Sequence, residues 1–302
     1  MSSSRRKFLK TSGLSLAALA MGAHKLMAEA DPDAILAIQL YTVRADMDKD
    51  PAGTLRKLSE IGYRYVEHAN YRERKFYGYK PTDFKKLLAD YNLQMPSGHV
   101  QMLPKDYNFS KLEFSDAWKN TVEDAAIAGQ KYLVSPWLDE SLRKNMKDFK
   151  AYMDVFNKSG KLCQTYGMKF GYHNHDFEFT TKIDGQLLYT LILENTDPAL
   201  VAQQLDMGNL YNGGFKAMDI AKKYPGRFEL MHVKDEILAK KGKEKYESTI
   251  LGKGIVGTKD VCEIGRTTGG TKYFIIEQES YQGLTPMDCS KQDYAIMKSW
   301  GY

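Results

Sequence analysis

The sequence predicts an α/β protein, a single-domain (β/α)8 barrel, on three observations. From Ile35 onward, short apolar runs and amphipathic segments alternate eight times, at a spacing of about 30 residues. The first run leads into Tyr41-Thr-Val-Arg44, which is not the glycine-rich phosphate turn that opens a doubly wound sheet. The apolar runs also end in polar, chemistry-bearing residues, as strands do at the face where a barrel builds its site.

Each element has its own signal. Ile35 to Tyr41 reads as the first strand, and Thr54 to Ile61 as a helix with Leu55, Leu58 and Ile61 on one side and Gly62 as its stop. Tyr65 to Glu67 is a strand, Thr82 to Tyr91 a helix with Phe84, Leu87, Leu88 and Tyr91 on one face, and Leu93 to Val100 the third strand. Phe114 to Ala128 is helical, Lys131 to Trp137 the fourth strand, and Leu142 to Tyr166 a long helix ending at Gly167. The fifth strand opens at Lys169 and carries His173 and His175 two residues apart, which on a strand puts both on one face. Helix Leu187 to Leu193, strand Val201 to Leu205, helix Phe215 to Tyr224 and strand Phe228 to Val233 follow. Lys240 to Gly257, rich in Gly and Lys, reads as a mobile loop acting as a lid. Helix Thr258 to Arg266, strand Tyr273 to Ile276 and helix Met287 to Trp300 close the chain.

Residues 1–28 are set apart from the barrel of residues 29–302. Ser4-Arg5-Arg6-Lys7-Phe8-Leu9-Lys10 is a twin-arginine export signature, followed by an apolar run from Leu14 to Met21 that is short for a membrane span. No Cys stands near the expected cleavage region. The expectation is a periplasmic protein handled by the twin-arginine translocase, with no stable membrane anchor. The five basic residues of this segment account for the formal charge of +5, leaving 38 basic and 38 acidic residues in the remainder. A neutral domain offers no long-range field for nucleic acid. Cys163, Cys262 and Cys289 are odd in number and widely spaced, which argues against a disulfide framework.

The strand ends give Gln39 and Tyr41, then Glu67 and His68, His99, and Pro136 with Trp137. They continue with His173 and His175, Asp206, then His232, Lys234 and Asp235, and Glu277. Four consecutive strands thus offer His, Asp, His and Glu, a set able to hold one divalent metal with positions left open for substrate.

Gln39-Leu-Tyr-Thr42, Tyr172-His-Asn-His-Asp-Phe-Glu-Phe179, Gln204-Leu-Asp206, His232-Val-Lys-Asp235 and Ile276-Glu-Gln278 resemble the xylose-isomerase-like TIM-barrel superfamily. More closely, they look like its sugar phosphate isomerase/epimerase branch, which also includes inosose dehydratases and 3-keto-glycoside lyases. The resemblance implies one Mn, Mg, Co or Zn ion held by Asp206, His232 and Glu277, with His173 where the family usually has Glu. His175 and Glu178 are the alternative strand-five ligands. It further implies that the ion chelates a ketone and a neighbouring hydroxyl of a sugar, with reaction through an enediolate. Glu277, His173 or His175 would be the base, and Lys234 the proton donor or oxyanion partner. His99 would join the catalytic set, and Glu67, Trp137, Tyr41 and Glu178 would contact the substrate.

The expectation is a metal-dependent enzyme on a small sugar, eliminating next to the ketone of a 3-keto sugar or 3-keto-glycoside. Epimerisation or isomerisation is the alternative, and a homo-oligomer is left open. An abasic-site endonuclease on the same fold would have His three residues after Asp206, where Asn209 stands. A non-catalytic sugar-binding barrel would have no need of the intact Asp206, His232 and Glu277.

Overall fold

The computed structural model describes residues 34–240 and 245–302. The twin-arginine signature, within residues 1–28, lies outside them. Eight parallel strands close a barrel: β1 (Ile35–Gln39), β2 (Tyr65–His68), β3 (Gln94–His99), β4 (Tyr132–Ser135), β5 (Lys169–His173), β6 (Val201–Asp206), β7 (Leu230–Val233) and β8 (Tyr273–Ile276). Each strand lies between its chain neighbours, and β8 pairs with β1 to complete the ring. Eight helices follow the strands: α1 (Pro51–Ile61), α2 (Pro81–Asp90), α3 (Asp116–Ala128), α4 (Met146–Gln164), α5 (Leu188–Asn195), α6 (Ala217–Lys223), α7 (Thr258–Ile264) and α8 (Pro286–Ser299). Among the described residues no helix is long and apolar enough to cross a membrane.

Helix α4 shows how the outer layer is built. Phe149, Tyr152, Met153, Phe156, Ser159, Gly160 and Cys163 recur at helical spacing, all buried. At Gly160 the helix rides so close to the start of β6 that a Cβ would come within 2.5 Å of the Leu200 carbonyl oxygen. The long helix expected from Leu142 is cut at Asn145, whose side chain accepts from the Asp148 N–H at 2.9 Å and starts a new helix there.

The barrel interior is layered. Tyr132 and Lys169 bind Glu229 at 2.8 and 2.5 Å and close the N-terminal end. Ala37, Val134, Ala202, Leu230 and Ile275 form an apolar layer above. Next come Gln39, Glu67, Ser97 and Gln204, all completely buried, and then the histidines.

Several boundaries differ from expectation. Strand β1 stops at Gln39, and Leu40–Val43 turns as a 3₁₀ helix because the Gln39 side chain accepts from the Tyr41 N–H at 3.1 Å. The helix expected from Phe215 starts at Ala217, after Gly213 and Gly214 end a short helix, Met207–Asn212. Four βα loops carry antiparallel hairpins, pairing Tyr71–Arg72 with Lys75–Phe76, Tyr107–Asn108 with Glu113–Phe114, Lys182–Ile183 with Gln186–Leu187, and Asp235–Leu238 with Tyr246–Thr249. The last corrects the reading of Lys240 to Gly257 as a mobile lid. Its described part is half a hairpin, Ile250 and Leu251 are buried, and the buried Asp235 carboxylate accepts from the N–H groups of Gly252, Gly254 and Val256 at 2.8, 3.1 and 3.1 Å. Cys163, Cys262 and Cys289 are free and buried.

Candidate active site

Strand register brings the site together. Gln39 lies beside Glu67, Glu67 beside Ser97, His173 beside Gln204 and Asp206 beside His232. The Glu67 carboxylate, which can only accept, takes Gln39 Nε2 at 2.7 Å and His232 Nε2 at 2.6 Å on one oxygen. Its other oxygen takes Gln204 Nε2 at 2.7 Å and the Ser97 hydroxyl.

This fixes the tautomers. His232 donates Nε2–H to Glu67, so its Nδ1 turns to Glu277 Oε2 at 3.2 Å and Asp206 Oδ2 at 3.7 Å. Gln204, with its NH₂ spent on Glu67, offers Oε1 to His99 Nε2 at 2.6 Å and His173 Nδ1 at 2.9 Å. That leaves His173 Nε2 facing Asp206 Oδ2, 3.9 Å away.

Asp206 divides its oxygens. Oδ1 accepts from the Asn209 N–H at 2.7 Å and starts the Met207–Asn212 helix. Oδ2 is buried with no aligned hydrogen bond; Lys234 Nζ stands 3.2 Å away but approaches too obliquely to make one. Lys234 follows the end of β7, and its ammonium reaches back to Glu277 at 2.9 Å, Glu279 at 2.6 Å and Asn209 at 3.2 Å.

Electrostatics follow from three buried carboxylates, Glu67, Asp206 and Glu277, around one lysine. Burial opposes charge on all of them. Against it, Glu67 and Glu277 push His232 up to about 10, and Asp206, Glu277 and Glu279 hold the Lys234 ammonium well above its ordinary range. Against the same burial, Lys234 and His232 hold Glu277 well below the usual carboxylate range. Burial and the neighbouring imidazoles push His173 well down, while burial and Lys234 take His175 to about 3.

With His232 and Lys234 both charged, the three carboxylates keep one negative charge unbalanced, and a divalent cation that took the place of the His232 Nδ1 proton would bring the set to neutrality. Asp206, His232 and Glu277 offer ligand atoms within 4.8 Å of one another, and His173 Nε2 faces the same point. The mixed N and O donor set and the unmet Asp206 oxygen fit such an ion.

The cluster lies at the floor of a cavity of about 700 Å³, whose walls include Tyr41, His99, Pro136, His173, His175, Lys234 and Glu277. Three expected substrate contacts fall elsewhere. Glu67 is completely buried beneath the cavity, held by the network above. Glu178 is buried behind the wall, accepting from the Tyr172 hydroxyl and the His175 N–H, because the chain turns into a short helix, Phe177–Thr180, after Asp176. Trp137 stands edge-on to the His175 ring at 4.9 Å and packs on Phe177, so it reaches the cavity through His175. His68 alternates to the outside of the barrel, against Phe76. Three members of the site had no assigned role: Gln204, Asn209 and Glu279. Glu279 was readable as the residue two beyond Glu277; Gln204 and Asn209 are placed by partners distant in sequence.

Among curated proteins, an inosose dehydratase of Clostridium beijerinckii is 25% identical over 272 residues, covering 82% of this chain and 81% of its own. Among solved structures, a sugar phosphate isomerase/epimerase from Parabacteroides distasonis superposes with a TM-score of 0.76 at 24% identity, covering 92% of this chain and 98% of that one. The IolI protein, solved with a bound zinc atom, superposes with a TM-score of 0.67 at 14% identity over 88% of this chain and 98% of its own. At these identities the two structural likenesses speak for the fold. The family pattern itself matches residues 55–300, so the chain belongs to the xylose isomerase-like TIM barrel family.

Proposed function

We propose that the protein is a divalent-metal-dependent lyase that eliminates a β-substituent from a 3-keto sugar or 3-keto-glycoside. The observation that carries this is the buried carboxylate set with its charge deficit at the floor of a sugar-sized cavity. His173, Asp206, His232 and Glu277 would hold the ion. When bound, it supplies Lewis-acid polarisation of the ketone and an adjacent hydroxyl. The donor set admits Mn, Mg, Co or Zn, and zinc is the ion in the IolI barrel of the same fold.

The chain's own groups then divide the proton work. His175, on the cavity wall, takes the proton from the carbon next to the ketone. The electron pair left behind moves through the enediolate and expels the substituent on the next carbon. Lys234, protonated beside Glu277 and Glu279, donates to the departing oxygen, giving an enone and a free alcohol or water. Glu67 and Gln204 act from behind by holding the imidazoles in one tautomer. The dehydratase relative supports elimination over epimerisation, which would need proton carriers on both faces of the sugar. The twin-arginine signature supports a periplasmic address, where free or glycosidic sugars are the available substrates.

Incubation of the metal-loaded protein with methyl 3-keto-α-glucoside in deuterated water, followed by NMR, tests the reading. The expected outcome is the unsaturated ketone and methanol. Deuterium at carbon with inverted configuration as the sole outcome would make it an epimerase instead.

A further inference from the structure

The main cavity does not end at the metal cluster. Its wall of Tyr41, Asn70 and Arg72 is shared with a second cavity of about 250 Å³, which adds Arg44, Asp48 and Tyr77. A third, of about 330 Å³, shares Asp48, Asn70 and Tyr77 and continues outward. The three form a groove between the β1–α1 and β2–α2 loops, with the reactive centre at its inner end.

The groove is built to hold its shape. Tyr71 and Arg74, in the β2–α2 hairpin that carries Arg72, both bind Asp124 of α3, at 2.6 Å from the hydroxyl and 2.7 and 2.9 Å from the guanidinium. Glu73, Arg74 and Tyr77 hold positive φ of 50°, 59° and 48°, and Tyr77 accepts from the Ala69 N–H at 3.1 Å. On the opposite wall, Arg44 lies 4.4 Å over the Tyr41 ring. Three of its five N–H donors go to the Tyr41 carbonyl at 3.0 Å, the Tyr281 hydroxyl at 2.9 Å and the Glu279 carbonyl at 3.2 Å, which anchors the guanidinium.

The side chains of Arg72 and Asn70, by contrast, make no hydrogen bond or ion pair among the described residues. They offer donors and one acceptor at the junction of the two cavities, and Asp48 adds acceptors beyond it. This mixture matches hydroxyl groups, each of which both donates and accepts. Asp48 in the second cavity offsets one of its two guanidiniums, Arg44 and Arg72, and so disfavours a phosphate or carboxylate there.

We propose that this groove is a second glycosyl subsite. The reacting ring sits over the metal cluster, and the neutral sugar joined to it lies between Tyr41 and Arg72, so the substrate is a glycoside of two or more rings. The proposal rests on the reading above only for where the reacting ring sits.

Calorimetric titration of the manganese-loaded protein with methyl α-glucoside, trehalose, maltose, sucrose and glucose 6-phosphate, each also as its 3-keto form, tests it. At least one two-ring sugar should bind about tenfold or more tightly than the one-ring glucoside. Asp48→Ala, at an exposed position outside the main cavity, should remove that advantage and leave one-ring binding unchanged, and Arg72→Ala should weaken two-ring binding by the larger factor. Equal binding of one- and two-ring sugars overturns the subsite, as does a variant that weakens both alike. Tighter, Arg72-dependent binding of the 6-phosphate overturns its neutral character. Turnover on the same probes separates the two claims. A two-ring preference without elimination supports the subsite and refutes the lyase, whereas elimination without that preference overturns the subsite alone.

Discussion

Glu67 gathers donors from four strands, and the direction of each hydrogen bond in the cluster follows from its being unable to donate. Glu67→Gln keeps the shape but turns an NH₂ toward either Gln39 and His232 or Ser97 and Gln204. A donor then meets donors, and His232 or Gln204 must rotate. Metal affinity, measured by competition with a chelating dye, should fall about 10- to 100-fold in a folded barrel. The ligands separate from the network in the same assay. Asp206→Ala, His232→Ala and Glu277→Ala should each abolish stoichiometric binding, while His173→Ala weakens it and His175→Ala mainly lowers turnover. Full stoichiometry in Asp206→Ala would remove the metal site. Asp293 makes a separate case, far along the chain in α8. One oxygen accepts from the Leu251 N–H at 2.9 Å and the other is buried without a partner. Burial raises its carboxyl to about 7, so between about pH 4 and 7 the folded protein keeps a proton that the unfolded chain releases. That contribution is complete below pH 4 and is lost as the pH rises through 7. Asp293→Asn keeps the acceptor for Leu251 and does not titrate. Its melting temperature should approach wild type toward pH 4 and exceed it at pH 8, where the wild-type penalty is on the order of 4 kcal/mol.

The elements that the sequence made plain are those long enough to show a period. Helix α4 repeats its buried face over five turns, and the barrel strands are apolar runs bounded by turn signals. The hairpins in the βα loops have arms mostly of two residues, too short for any alternation to appear. Their turns differ in how they could have been found. Asp184-Gly185, with φ of 50° and 80°, is the ordinary signal of a tight hairpin turn. Glu73-Arg74 adopts the same left-handed pair without glycine or asparagine, and the contacts to Asp124 hold it there. Likewise the strand ends are readable as a site, but Glu67 and Glu178, expected at the pocket surface, lie behind it. For Glu67 that placement depends on partners more than a hundred residues away, Gln204 and His232. Glu178 is instead turned from the cavity locally, by the short helix that brings it back to the Tyr172 hydroxyl and the His175 N–H. The hairpin from Asp235 to Thr249 carries a prediction of its own. Asp235→Ala strands the N–H groups of Gly252, Gly254 and Val256, and should cost about 2–5 kcal/mol in urea unfolding. Faster hydrogen exchange confined to residues 246–257 would locate the loss. Unchanged exchange there would mean that the carboxylate does not hold the loop.

Across the whole molecule, polarity rises along the barrel axis, from the apolar layer around Val134 and Leu230 to the carboxylates and imidazoles at the open end. Stability and chemistry are therefore stacked along one axis, and an ion bound at the top ties five of the eight strands through His173, Asp206, His232, Glu277 and the Glu67 behind them. Binding to the folded state alone stabilises it by about 2.7 kcal/mol at a hundredfold excess over Kd. Divalent metal should thus raise the melting temperature by several degrees, with EDTA reversing the gain, and the shift should vanish in Asp206→Ala. The three cysteines lead to a practical use. All are buried without a disulfide, and burial holds every thiol above its ordinary range. The native chain should be almost inert to maleimides. One cysteine introduced at Leu112, 69% exposed at the turn of the β3–α3 hairpin, would then be a single attachment point for a fluorophore or spin label, placed on the face where substrate enters.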